Sequence, residues 1–288
     1  MMWQDLGIDV KNRTSGQIKT HCPKCHHKRS DKRDASLSCN LDTGAYKCHY
    51  CEWSGNINSI PAKTYFKPEW KNDTTIPDHV VKWFEGRGIN QSTLLKARVT
   101  YGNEYMPQKG SEVGTIQFNY FINNELVNVK YRTLDKNFKL VSNAELVPYN
   151  IDSIHNERTC VITEGEIDCL SLIQCGIKSV VSVPNGASSN LDYLDRFIES
   201  HFEDKDEIVI AVDTDKKGLD LRNELVRRLG AERCRIVTYV EGCKDINEVL
   251  CKPGHGSTAV LQAIEDAQYV KIEGVFEVID VRSQLDIL

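Results

Sequence analysis

From residue 158 onward the chain repeats one pattern: a short apolar, β-branched run, then a stretch of helical period. The runs are "CVITEG", "SVVSVPNG", "IVIAVDTD" and "RIVTYV". Alternation of this kind predicts a largely parallel sheet with helices on both faces. Residues 208–212 (Ile-Val-Ile-Ala-Val) are apolar without a break, as expected of a strand buried on both sides. Ligands of such sheets bind at the carboxyl ends of the strands, and there this sequence places acids. Glu164 follows one strand, Asp213 and Asp215 follow another, and Asp245 is expected at the end of a third.

An acid after a strand often caps the next helix, and "KKGLDLRNELVRRLG" reads as a helix with Leu219, Leu221, Leu225, Val226 and Leu229 inward. One carboxylate suffices for a cap. Two at i and i+2 point the same way from an extended chain and repel unless a cation lies between them. Glu166 and Asp168 open the helix after Gly165, where the helix dipole favours acids. Glu164 precedes the glycine and is not explained that way. Several acidic strand ends in one sheet repel one another unless hard cations are bound, and magnesium suits oxygen donors of this kind.

The N-terminal third carries a second constraint. Cys22-x2-Cys25 and Cys48-x2-Cys51 are two CxxC knuckles with 22 residues between them. Four thiolates make a closed tetrahedral zinc site, hence a structural one, and "SLSCNLDTGAYKC" between the pairs reads as a hairpin, which predicts a zinc ribbon. The other seven cysteines (Cys39, Cys160, Cys169, Cys175, Cys234, Cys243, Cys251) read mostly as small core residues. Eleven in all is an odd number, which argues against a disulfide framework.

The net charge of −5 hides an uneven distribution. Residues 1–72 carry 12 Lys and Arg against 7 Asp and Glu, leaving 24 against 34 for residues 73–288. A basic head on an acidic body suggests a polyanion partner for the head. Lys24, Lys28, Arg29, Lys32 and Arg33, with Tyr46, Tyr50 and Trp53, suit a nucleic-acid face. Further on, "DHVVKWFEGRGINQSTLLKARV" gives two short helices broken at Gly86–Gly88, and "GTIQFNYFINNELVNVKYRTL" alternates about Asn123-Asn124 as a hairpin. Lys130, Arg132, Lys136 and Lys139 lie within ten residues, which suggests an anion. No apolar run reaches membrane-span length and the stretch "MMWQDLGIDVKNRTSG" has no signal-peptide core, so a soluble, cytoplasmic protein without membrane contact is expected.

Strand–Glu-Gly, strand–Asp-x-Asp and "CKDINE", in that order, resemble the TOPRIM fold of topoisomerases, primases and some nucleases. With the ribbon, "VKYRTLDKNFKL" and "PNGAS", nearly the whole chain resembles the primase half of phage primase-helicases. The resemblance implies an α/β fold: an N-terminal zinc ribbon (1–60), a linker (61–77), an α+β subdomain (78–157), a TOPRIM-type parallel α/β subdomain (158–268), and the start of a connector toward a helicase (269–288). It implies that Glu164, Asp213 and Asp215 hold catalytic Mg2+ or Mn2+, with Asp168 and Asp245 as supporting acids. Lys130, Arg132, Lys136, Lys139, Lys244 and Gly186 would hold nucleotide or template, and one structural Zn2+ would sit on Cys22, Cys25, Cys48 and Cys51.

The implied activity is synthesis of short oligoribonucleotide primers on single-stranded DNA, from ribonucleoside triphosphates, for phage DNA replication in an infected bacterium. The partners implied are a replicative helicase and a DNA polymerase. Two departures stand out. Ala45 occupies a place where the family often has a histidine that reads the template, and the sequence holds no G-x-x-x-x-G-K-[ST] loop. The tail "IEGVFEVIDVRSQLDIL" is similar to the segment leading into the helicase, which makes a primase fragment or short form the expectation. A TOPRIM nuclease and a non-catalytic single-stranded-DNA-binding module are the alternatives.

Overall fold

The structure, a computed structural model, describes residues 3–57, 65–70, 75–186 and 190–271. Of the connector expected over 269–288, the residues from 272 onward lie outside the described residues. The chain divides into two compact units, 1–64 and 65–288.

The first unit is an antiparallel sheet of four short strands in sequential order, β1 (Gln17–Thr20), β2 (Leu37–Asn40), β3 (Ala45–Cys48) and β4 (Ser54–Asn56). Its core is small: Ile8, Ile18, Leu37 and Cys39 around three of the paired cysteines. A core of that size holds a fold of this length only with help from a metal or a partner.

The second unit begins with α1 (Asp78–Glu85) and α2 (Gln91–Lys96). An antiparallel sheet follows: β5 (Thr100–Met106), β6 (Ser111–Ile122), β7 (Glu125–Arg132) and β8 (Phe138–Leu140), in sequential order. Asn123 and Asn124 both have positive φ, 50° and 67°, as a two-residue hairpin turn requires. Of the segment expected as linker, residues 65–70 lie against this unit. Phe66 bridges to Ala144 and Trp70 packs edge-on against Phe121 at 5.2 Å. Trp70 thus finds apolar surface although its stretch has no periodicity, while the Phe66 side chain stays exposed.

The parallel sheet then forms from β9 (Thr159–Thr163), β10 (Val180–Ser182), β11 (Glu207–Ala211) and β12 (Cys234–Ile236), with β13 (Gln268–Tyr269) antiparallel at one edge. The order is β10-β9-β11-β12-β13. The intervening helices are α3 (Glu166–Gln174), α4 (Asp195–Phe197, running on into a π turn to Phe202), α5 (Lys216–Leu229), α6 (Ile246–Cys251) and α7 (Gly256–Glu265). Leu221, Leu225 and Leu229 bury the inward side of α5, whereas Leu219, two residues before Leu221 and so turned off that side, is exposed. One continuous apolar core runs from Ile76 to Ala267, so the α+β part and the parallel sheet share it.

Two details correct the sequence reading. Strand β12 stops at Ile236, so Asp245 is not at a strand end; it caps α6 after an intervening loop. Strand β11 stops at Ala211, and the backbone bends at Thr214–Asp215.

Candidate active site

The acids converge although their origins differ. The chain passes from β9 into α3 at Gly165, so Glu164 stands at the strand end and Asp168 in the first helical turn. Asp213 follows β11 by two residues. Asp245 caps α6 by accepting from the Glu248 N–H at 2.7 Å. A hydrogen bond from the Thr214 N–H to the Lys244 carbonyl, 3.2 Å, ties the loop after β11 to the loop before α6. Glu164, Asp168, Asp213, Asp245 and Gly186 all line one cavity of about 660 Å³.

These carboxylates feel one another. Burial pushes Asp168 well above the usual carboxylate range, and the charges of Asp245, Asp213 and Glu164 push it further. Burial raises Asp213 to about 6, with Asp245 and Asp215 adding to it. Asp245 is raised by burial and by Glu248. The phenol of Tyr239, which donates to the Val212 carbonyl at 3.0 Å, is raised by burial and by four of these acids. Among the described residues Asp168, Asp213 and Asp245 have no salt-bridge partner. Crowded oxygen donors without a cation of their own fit a hard divalent metal. Among the described residues no three carboxylates gather as tightly as the cysteine sulfurs do, and magnesium-type ions need only one or two carboxylates each, completing their shell with water and phosphate oxygens.

Asp215 departs from the expectation. Its Oδ1 accepts from the Gly218 N–H at 2.9 Å, making it the N-cap of α5, and it does not line the cavity. Carboxylates at i and i+2 point to one side only on an extended backbone, and the bend at Thr214–Asp215 ends that extension. The turn is tight: a Cβ on Gly218 would lie 2.1 Å from the Asp213 carbonyl oxygen.

Cations line the same cavity as the acids: Lys130, Arg132, Lys136, Lys139 and Lys244. They are not equally free. Lys139 is paired with Glu104 and donates to the Tyr105 carbonyl at 2.9 Å. Lys130 is buried and donates to both oxygens of Glu166, at 2.9 and 3.1 Å, while the Tyr120 hydroxyl also donates to Glu166. Glu166, which the sequence suggested only as a helix-dipole acid, is thus the buried partner of a site lysine. Arg87, Asn247 and Glu248 were also missed. One signal was available, since an inward lysine on an alternating strand needs an anion.

In the ribbon all four Sγ atoms lie within 4.8 Å of one another. Cys22–Cys51 and Cys25–Cys48 are both 3.7 Å apart. Tetrahedral zinc with bonds near 2.3 Å separates its sulfurs by about 3.8 Å, so the donor set and its spacing fit zinc. Burial works to raise the Cys48 thiol, but hydrogen bonds from Ser36 and from the Cys51 and Tyr50 N–H groups bring it down to about 6, toward the thiolate that binds metal.

Of the expected nucleic-acid face, Arg29 lies over Tyr50 at 4.4 Å and pairs with Asp34, and Lys32 donates to the His27 carbonyl at 2.9 Å. A second cavity of about 500 Å³ opens on the sheet face among Lys19, Tyr46, Lys47 and His49. Cys39, Cys160, Cys169 and Cys234 are buried as expected, Cys175 and Cys243 are half-buried, and Cys251 is exposed.

A parallel sheet with acids at its carboxyl side, an antiparallel cationic wall and a four-cysteine ribbon define a TOPRIM protein with a zinc ribbon, and the Toprim-like family matches residues 161–250. Over 283 residues the chain is 34% identical to the primase homolog protein of Arabidopsis thaliana, covering 87% of this chain and 82% of that one. The chain belongs to the DNA primase family. It is also 30% identical over 315 residues to the Twinkle homolog protein (chloroplastic/mitochondrial) of the same plant, covering 98% of this chain and 43% of the relative, so it spans less than half of that protein. A similar solved structure is the bacteriophage T7 lagging-strand DNA polymerase interacting with primase domains of two gp4 subunits bound to an RNA/DNA hybrid and dTTP. There the TM-score is 0.55 and the identity 26%, over 64% of this chain and 91% of that one. No helix among the described residues is long and apolar enough to cross a membrane.

Proposed function

We propose that this chain synthesises short oligoribonucleotides on a single-stranded DNA template. The observation that carries the reading is one cavity lined both by mutually raised carboxylates and by lysines and arginines. Glu164 and Asp213, with Asp215 two residues further on outside the cavity lining and Asp168 and Asp245 in support, would hold magnesium or manganese. Those ions, when bound, lower the charge of a nucleoside triphosphate and favour attack of a ribose 3′-hydroxyl on its α-phosphorus, with pyrophosphate leaving. Lys130, Arg132, Lys136, Lys139 and Lys244 would orient the phosphates and the template strand, and Gly186 lets the backbone come close to the ligand. Their contribution is positioning and charge stabilisation.

The ribbon would hold one structural zinc and grip the template. The T7 likeness supports ribonucleotides, DNA template and a DNA polymerase as partners. The sequence resemblance to primase-helicases supports a helicase partner and, as the setting, phage DNA replication in a bacterial cytoplasm. Incorporation of labelled ribonucleotides on single-stranded DNA with magnesium or manganese tests the reading. Template-dependent oligoribonucleotides are expected. Degradation of the template instead would indicate a TOPRIM nuclease, and template binding with neither outcome a binding module.

A further inference from the structure

Two guanidinium groups in the cavity share one aromatic ring. The guanidinium carbons of Arg87 and Arg132 each lie 4.4 Å from the ring centre of Trp83, which stands one helical turn before Arg87. Arg132 is buried and has lost basicity, to about 10, first through burial and then through the charge of Arg87. Neither arginine has a carboxylate in a salt bridge among the described residues, and both line the cavity.

Arg87 is fixed from a second direction. Its Nη1 donates to Asn247 Oδ1 at 3.1 Å, and Asn247 Nδ2 donates back to the Arg87 carbonyl at 2.9 Å and to Ser171 Oγ at 2.9 Å. The Asn247 backbone N–H donates to Asp168 Oδ1 at 3.0 Å. Asn247 is buried, and its side chain uses acceptor and donor alike on this contact. The turn that carries Arg87 is pressed onto the same helix. Gly88 adopts a φ of 71°, and a Cβ there would come within 3.0 Å of Leu250.

Two guanidinium groups stacked on one ring, with Glu166 and Asp135 acting on Arg132 only at a distance and no salt bridge to either among the described residues, are stabilised by an anion from outside. The acids lining the same cavity would hold metal that also takes phosphate oxygens, so the anion that meets both is a polyphosphate. We propose that Trp83 and Asn247 are positioning residues that hold Arg87 beside Arg132 as a two-guanidinium seat for the triphosphate tail of the incoming nucleotide. This rests on the polymerising role proposed above for the same cavity. Through Asn247 the seat is mechanically joined to Asp168, so phosphate binding and the acidic cluster share one support.

The test is calorimetric binding of inorganic tripolyphosphate with magnesium, alongside binding of a single-stranded oligodeoxynucleotide and thermal melting, for the wild type and for Trp83→Leu, Trp83→Phe, Asn247→Ala and Arg87→Gln. Trp83→Leu, Asn247→Ala and Arg87→Gln are expected to weaken tripolyphosphate binding about tenfold. Trp83→Phe, which keeps a ring, should recover most of that loss, and oligodeoxynucleotide affinity should be unchanged throughout. A loss of oligodeoxynucleotide affinity with tripolyphosphate unaffected would assign the pair to the template and overturn the proposal. So would unchanged tripolyphosphate binding in Arg87→Gln, or a wild type that binds none. A wild type that binds tripolyphosphate but makes no primers would sink the polymerising role and leave the seat standing.

Discussion

Lys130 on β7 and Glu166 at the start of α3, 36 residues apart in sequence, form a buried ion pair at 2.9 Å that joins the antiparallel sheet to the TOPRIM sheet beside the acidic cluster. The Tyr120 hydroxyl closes the arrangement by donating to the same carboxylate. A buried pair is costly to break from one side, because the remaining charge is left without a partner.

Glu166→Ala should therefore destabilise the second unit by about 3–5 kcal/mol in urea unfolding. The double variant Lys130→Met with Glu166→Gln should recover much of this, since no lone charge stays buried and Tyr120 keeps an acceptor. A loss below about 1 kcal/mol for Glu166→Ala would show that water from the cavity already screens Lys130.

Metal analysis of the native protein is expected to find about one zinc per chain. Cys48→Ser should release it, unfold the ribbon and abolish template-dependent synthesis, while untemplated dinucleotide formation by the second unit survives. Native protein without zinc would refute the assignment.

Asn substitutions separate metal binding from capping at the loop after β11. Asn keeps the cap at residue 215 but removes the charge. Asp213→Asn and Asp215→Asn should leave stability within about 1 kcal/mol, or raise it, and lower primer synthesis on the order of a hundredfold. Asp215→Ala should additionally cost about 1 kcal/mol for the lost cap. Near-normal synthesis by Asp215→Asn would leave that residue as a cap alone.

Burial, with the charge of Asp245 behind it, raises Asp213 to about 6. A carboxyl raised on folding favours the fold while protonated. Its contribution is complete below about pH 4 and is lost as pH rises through 6. Metal-free wild type should thus lose stability relative to metal-free Asp213→Asn between pH 4.5 and pH 7 (the two ends of about that window), and divalent metal should close the gap at the higher pH. Melting temperatures that keep the same separation at both ends would contradict this.

Gly218→Ala tests the turn itself. A Cβ 2.1 Å from the Asp213 carbonyl cannot be accommodated without moving the loop. The expected cost is about 1–3 kcal/mol, together with a higher magnesium requirement for synthesis. An alanine variant with wild-type melting and metal dependence would mean that the loop yields freely.

The particulars divide along one physical line. Period, spacing and turn chemistry within a segment determined the parallel strands of "CVITEG" and "IVIAVDTD", the hairpin at Asn123-Asn124 and the gathering of Cys22, Cys25, Cys48 and Cys51. Each of these depends on backbone geometry or ligand valence over a few neighbouring residues. The tertiary structure decided which charge meets which. Glu166 takes Lys130, Glu104 takes Lys139, and Asn247 takes Arg87 across 160 residues. It also made Asp215 a cap by bending the chain where an extended strand would have aimed its carboxylate beside Asp213. A charge carries no period of its own, so its partner is set only when sheets and helices pack and bring distant side chains out of water together.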